Sequence, residues 1–178
     1  MIAQLENTNL KENFNSPYPV EGLIQVFTSC HRDFFTNVMA QSLRIAGQGT
    51  PVLIVQFLKG GINQGPENST QLGKYLDWIR CDLPRHIDTA QLDDKEAIAL
   101  KNLWQHTQTK VNEGKYSLVV LDELSLAINF GFISESEVLS FLTNRPANVD
   151  IIFTGSEMPK SLLDIADQIT EIRRQHRP

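Results

Sequence analysis

The chain has 178 residues, 41% of them apolar and 21% charged, which is the balance of an ordinary globular domain able to bury a core without a disulfide or metal staple. Its 16 basic and 21 acidic side chains leave a net charge of -5, which argues against a general polyanion binder and against nucleic acid as a partner while leaving room for local basic pockets. No apolar run approaches the roughly 20 residues of a membrane span, and the polar N-terminus lacks the apolar centre of a signal peptide, so a cytoplasmic protein with no membrane partner is expected.

Residues 1–20 are rich in Asn, Glu, Lys and Pro and read as an N-terminal arm; residues 21–178 read as a single domain. Leu23 to Phe27 predicts a first strand, and Phe35, Val38, Met39, Ser42, Ile45 and Ala46 repeat at helical spacing up to Gly47, the position of a helix-ending glycine. Pro51 to Phe57 predicts a strand buried on both faces. Lys59 to Thr70, with three glycines and a proline, predicts a loop with no regular element, and a further strand is expected from Leu76. Asp93 to Glu96 resembles a capping start for a long amphipathic helix ending at Gly114. Ser117 to Leu121 predicts another buried strand, and Ser134-x-x-Glu137 a capping box ahead of Val138, Phe141 and Leu142. Val149 to Thr154 predicts a strand, Lys160 to Ala166 a helix, and Ile169 to Ile172 a last short strand. Such alternation predicts an α/β fold: a three-layer parallel sheet of about five or six strands covered on both faces, with Leu23 to Phe27 central.

Ligands of such sheets gather where strands end, here after Phe27, Phe57, Leu121 and Thr154. Phe27 to Thr36 holds the position of a phosphate loop, yet it has no glycine to turn backbone N-H groups inward and no lysine for the phosphates. Leu118 to Leu124 is an apolar strand ending in Asp122 and Glu123, the layout of a Walker B segment holding Mg²⁺. From spacing alone the plainer expectation is that Asp122 is the N-cap of a helix starting at Glu123. Lys59 is placed to meet a phosphate or to be a solvated side chain. Cys30, His31, Cys81 and His86 are soft-metal ligand types, but their spacing signals no metal site, and reduced cysteines are expected.

The order of these segments resembles the P-loop type of ATP:corrinoid adenosyltransferase. The resemblance runs from about Glu21 to the C-terminus. It is carried by Gly22-Leu-Ile-Gln-Val-Phe-Thr28, Gly47-Gln-Gly49, Val55-Gln-Phe-Leu-Lys-Gly60, Trp104-Gln-His106, Val119-Val-Leu-Asp-Glu-Leu124, Asn144-Arg-Pro146, Thr154-Gly155 and Ile165-Ala-Asp167. It implies a RecA-like P-loop NTPase fold, MgATP and a corrinoid as the bound species, transfer of the 5′-deoxyadenosyl group to cobalt in cobalamin biosynthesis, and a homodimer in which the N-terminal arm reaches the neighbour's corrinoid side.

In that family the phosphate loop reads Gly-Asn/Asp-Gly-Lys-Gly-Lys-Thr-Thr. The aligned residues here are Ser29, Cys30, His31, Arg32, Asp33, Phe34, Phe35 and Thr36, of which only Thr36 is kept. Phe34 stands at the lysine, Phe35 at the Mg²⁺-binding threonine, and both are expected to turn inward as core. The Phe-Thr-Trp segment that packs on the corrin ring is matched by His86, Ile87 and Asp88, and Ser156 replaces an Arg. Each hydrogen bond to a charged group contributes about 1.5 to 3 kcal/mol. Losing even about 4 kcal/mol weakens binding about a thousandfold. The resemblance therefore implies a non-catalytic binding or regulatory relative with absent or weak nucleotide binding; the alternative is an active transferase using Thr36, Arg32, Lys59, Asp122 and Glu123 as nucleotide and Mg²⁺ ligands.

Overall fold

In a computed structural model describing residues 21–32 and 35–173, seven strands form one sheet. They are β1 (Ile24–Ser29), β2 (Val52–Gln56), β3 (Thr70–Leu72), β4 (Leu76–Arg80), β5 (Leu118–Asp122), β6 (Asp150–Ser156) and β7 (Gln168–Ile172), in the order β3-β4-β2-β5-β6-β1-β7. All neighbouring pairs are parallel except β3 with β4. The continuous apolar runs Val52 to Val55 and Leu118 to Leu121 are wholly buried because β2 and β5 lie inside the sheet with both faces covered.

The helices α1 (Thr36–Gly47), α2 (Asp94–Asn112), α3 (Leu124–Asn129), α4 (Glu135–Asn144) and α5 (Lys160–Asp164) complete the layers. On one face, Val38, Met39 and Ala46 of α1 pack with Phe35 on Val52, Ile54, Leu76, Leu118, Val120 and Ile152. On the other, a larger cluster joins Leu100, Leu103 and Trp104 of α2 and Val138, Phe141 and Leu142 of α4 to Leu53, Val55, Val119, Leu121, Ile151 and Phe153. The result is the expected three-layer α/β sheet, with seven strands in place of the five or six expected and with β3 antiparallel.

Four sequence expectations are corrected. β1 is not central: it lies next to the edge strand β7, and its half-buried Gln25, Phe27 and Thr28 reflect that position, whereas β5 occupies the middle. The segment from Lys59 to Thr70 is not free of regular structure, since Pro66–Asn68 forms a 3-10 turn and Thr70 opens β3. At Ser134 no capping box forms; its hydroxyl pairs with Ser136, and the Glu137 carboxylate instead accepts from Trp104 Nε1 at 2.8 Å. Asp122 is not an N-cap. It ends β5, and Glu123 precedes α3 without a side-chain capping bond. By contrast, the box at Asp93 and Glu96 forms in both directions. The expected arm at residues 1–20, the position of Phe34 and the Arg174 end of the tail lie outside the described residues.

Candidate functional site at the carboxyl edge

Parallel pairing puts the polar ends of the strands into one row. Gln56 pairs in register with Arg80 and with Asp122, Asp122 with Thr154, and Thr154 with Phe27, so residues far apart in sequence share one face of the sheet. Gln56, Asp122 and Thr154 are all fully buried, and burial of polar groups is tolerated only when they are bonded. Each is. Thr154 Oγ1 donates to Asp122 Oδ1 at 2.6 Å, and Gln56 Nε2 and Lys59 Nζ donate to Oδ2 at 2.7 and 2.6 Å. Gln56 Oε1 in turn accepts from Trp78 Nε1 and Arg80 Nε, at 2.9 and 2.7 Å.

Glu123 follows in a left-handed conformation, φ 63°, which is costly for a residue with a Cβ. Its N-H donates to the Thr154 carbonyl at 2.8 Å, and its carboxylate, 1% exposed, is gripped by Arg32 through Nε to Oε1 and Nη2 to Oε2, both at 2.6 Å. The remaining guanidinium nitrogen of Arg32, Nη1, donates to the Ile87 carbonyl at 2.6 Å. The bond to Glu123 raises the Arg32 pKa further, more than burial lowers it, so the guanidinium is firmly charged. Lys59 lies 3.9 Å from Glu123 as well. Gly155 permits the close passage of β6 behind this site: a Cβ there would stand 2.5 Å from Ser125 Oγ, which donates to the Ser156 carbonyl.

Of the residues singled out from sequence, Arg32, Lys59, Asp122 and Glu123 are brought together. Phe35 is 2% exposed and belongs to the α1 core cluster. Thr36 opens α1 and is exposed. Ser29 is buried and donates to the His31 carbonyl, while Cys30 and His31 are exposed. Asp33 and Phe34 lie outside the described residues. Cys81 is fully buried, and burial pushes its thiol up to about 12, whereas His86 is exposed. Among the described residues no group of three or more His, Cys, Asp or Glu is placed to hold a metal ion. Reading the sequence missed Gln56, Arg80 and Thr154 as members of the site; the signal that marks them is a polar residue at or near the carboxyl end of each strand.

The donor set does not fit a hydrated Mg²⁺ carrying a triphosphate. All four carboxylate oxygens of Asp122 and Glu123 already accept from Gln56, Lys59, Thr154 or Arg32, and the buried Phe35 ahead of α1 has no hydroxyl to offer a metal. What the arrangement does chemically is to neutralise two buried carboxylates with two of the chain's own cations, the condition under which buried charge persists.

A mostly parallel sheet between helical layers, with a strand, loop and helix set beside acids that end a central strand, defines the P-loop NTPase-like class of α/β proteins. Residues 20–178 match the model of the family described as ATP:corrinoid adenosyltransferase BtuR/CobO/CobP, and the chain belongs to that family. It is 29% identical over 153 residues to corrinoid adenosyltransferase CobA of Salmonella typhimurium and 27% identical over 160 residues to the corrinoid adenosyltransferase of Escherichia coli. Each of these matches covers 85% of this chain and 76% of the relative. The corrinoid adenosyltransferase of Pseudomonas aeruginosa is 26% identical over 161 residues, with 85% and 74% covered. No helix among the described residues is long and apolar enough to cross a membrane.

Proposed function

We propose that this chain is a non-catalytic member of the corrinoid adenosyltransferase family, a binding or regulatory protein whose nucleotide site is closed by its own side chains. The observation that carries this reading is the pairing of Arg32 with Glu123 and of Lys59 with Asp122, at 2.6 Å in both cases. These are the two basic side chains that a phosphate-binding role would draw on, and both neutralise carboxylates that a metal-nucleotide would otherwise need. The loop from Ser29 to Thr36 has neither the glycines nor the lysine of a phosphate cradle, and buried Phe35 fills space on the α1 side. On the corrinoid side, Leu83 to Asp88 contains no Phe, Tyr or Trp, and its Ile87 is fully buried.

Calorimetric titration with MgATP tests this. Binding is expected to be absent or weaker than about millimolar, and a dissociation constant in the low micromolar range overturns the reading. The paired assay is formation of an adenosylated corrinoid from ATP and reduced corrinoid. No turnover is expected; sustained turnover would mean that Arg32 and Lys59 leave their carboxylates and act as replacement phosphate ligands. The same proposal places the protein in the cytoplasm, as one domain over residues 21–178 with the arm at 1–20, and as a homodimer. Light scattering that gives a dimer mass at micromolar concentration supports the last point, and a monomer overturns it.

A further inference from the structure

We propose that Arg32 is a latch that holds the segment after β4, Leu83 to Asp88, against the carboxyl edge of the sheet, so that this wall of the site is set without a ligand. The inference rests on the closed-site reading above and concerns how the closure is maintained.

One guanidinium joins three parts of the chain. It belongs to the loop after β1, it forks onto Glu123 at the end of β5, and it donates to the backbone carbonyl of Ile87 at 2.6 Å. The segment it reaches is already bonded to the stretch that follows β2: Ile87 N-H donates to the Leu58 carbonyl at 3.0 Å and Gly61 N-H to the Leu83 carbonyl at 2.8 Å. The contact with Gly60 is so close that a Cβ there would stand 2.4 Å from the carbonyl oxygens of Leu83 and Arg85. A second fork closes the other side, where Arg85 holds the Glu96 carboxylate at 2.9 and 3.0 Å and the Gln91 carbonyl at 3.2 Å.

The two forks differ in what they join. Arg85 ties the segment to the start of α2, only 11 residues on, whereas Arg32 spans 55 residues to Ile87 and 91 to Glu123. Arg32 therefore couples the loop after β1 to the wall opposite it. Three simultaneous donors in one plane are a property of guanidinium that an ammonium does not share, so Lys at this position keeps the charge and loses the latch.

Hydrogen exchange read by mass spectrometry on the full chain tests the latch. In Arg32→Lys, exchange over Leu83 to Asp88 is expected to rise about tenfold or more, with β5 and β6 unchanged. Arg32→Ala should raise exchange over Leu83 to Asp88 beyond the rise that its overall destabilisation gives β5 and β6, and if it does not fold, Glu123→Gln supplies the second measurement. Wild-type exchange rates in Arg32→Lys overturn the latch. Adding MgATP to the wild type is expected to change nothing; a nucleotide-dependent change would overturn the closed-site reading instead, so the two failures are told apart.

Discussion

Arg32 meets Glu123 fork to fork, with both N to O contacts at 2.6 Å, and the two partners are unequally buried: the Arg32 side chain is 30% exposed, the Glu123 side chain 1%. The asymmetry decides what each truncation costs. Without Arg32, a carboxylate is left inside the protein with Lys59 only at 3.9 Å; without Glu123, the guanidinium turns to water.

Arg32→Ala is therefore expected to destabilise the protein by about 2 kcal/mol or more. Glu123→Gly should cost less, because glycine relieves the left-handed backbone at φ 63°, a strain of order 1 kcal/mol. Urea denaturation of both variants gives the ranking. An equal or larger loss in Glu123→Gly would show that the fork is not what the buried acid depends on.

Phe35 links the fold to the proposed loss of chemistry. Replacing its ring by the family's hydroxyl, Phe35→Thr, removes a side chain that is 2% exposed in the α1 cluster, and a loss of about 3 kcal/mol is expected from the cavity and the unbonded hydroxyl. MgATP affinity should not improve. A stable variant with new micromolar binding would show that the site needs only a metal ligand to work.

The strands were legible because continuous apolar runs such as Val52 to Val55 and Leu118 to Leu121 belong to a sheet covered on both faces. Their lateral order was not, since nothing in the run Leu23 to Phe27 says which neighbours it will pair with, and β1 came to lie beside the edge. Capping shows the same limit. Asp93 and Glu96 bond each other's backbone as their spacing implies, but Glu137 is claimed by Trp104, a contact 33 residues away. At the site, the acids Asp122 and Glu123 and the bases Arg32 and Lys59 were each visible, whereas their pairing arises from the lateral strand order, which sets the segments after β1 and β2 beside the end of β5. Gln56, Arg80 and Thr154 became partners for that reason alone.

The buried row makes its own prediction. Asp122 accepts from three side chains, and Asp122→Ala would remove the acceptor of the buried Gln56 and Thr154 donors and one acceptor of Lys59, so a loss of about 3 kcal/mol or more is expected. Thr154→Val removes one donor of the three and should cost about 1 kcal/mol. Chemical denaturation measures both. If Thr154→Val matches Asp122→Ala, the row is not acting as a network centred on the carboxylate.

Alkaline stability reports the buried thiol of Cys81. Cys81 is fully buried, and its pKa is raised from 9.0 to about 12, chiefly by burial with a smaller contribution from the charge of Asp82. In the unfolded chain the thiol ionises near its ordinary value, whereas the fold keeps it protonated. Its contribution is thus complete below about pH 9 and is lost as pH rises toward about 12. Tyr116, raised by burial and by its bond to Asp77, acts with the same sign, so the wild-type curve alone does not isolate Cys81. Comparing slopes does: between about pH 8 and 10.5 the urea midpoint of Cys81→Ala should fall less steeply than that of the wild type, whatever the packing cost at neutral pH. Thiol labelling at neutral pH should in parallel modify exposed Cys30 and spare Cys81. Parallel slopes, or rapid labelling of both cysteines, would show that the position behind β4 is open to solvent and that the segment over it is not held shut.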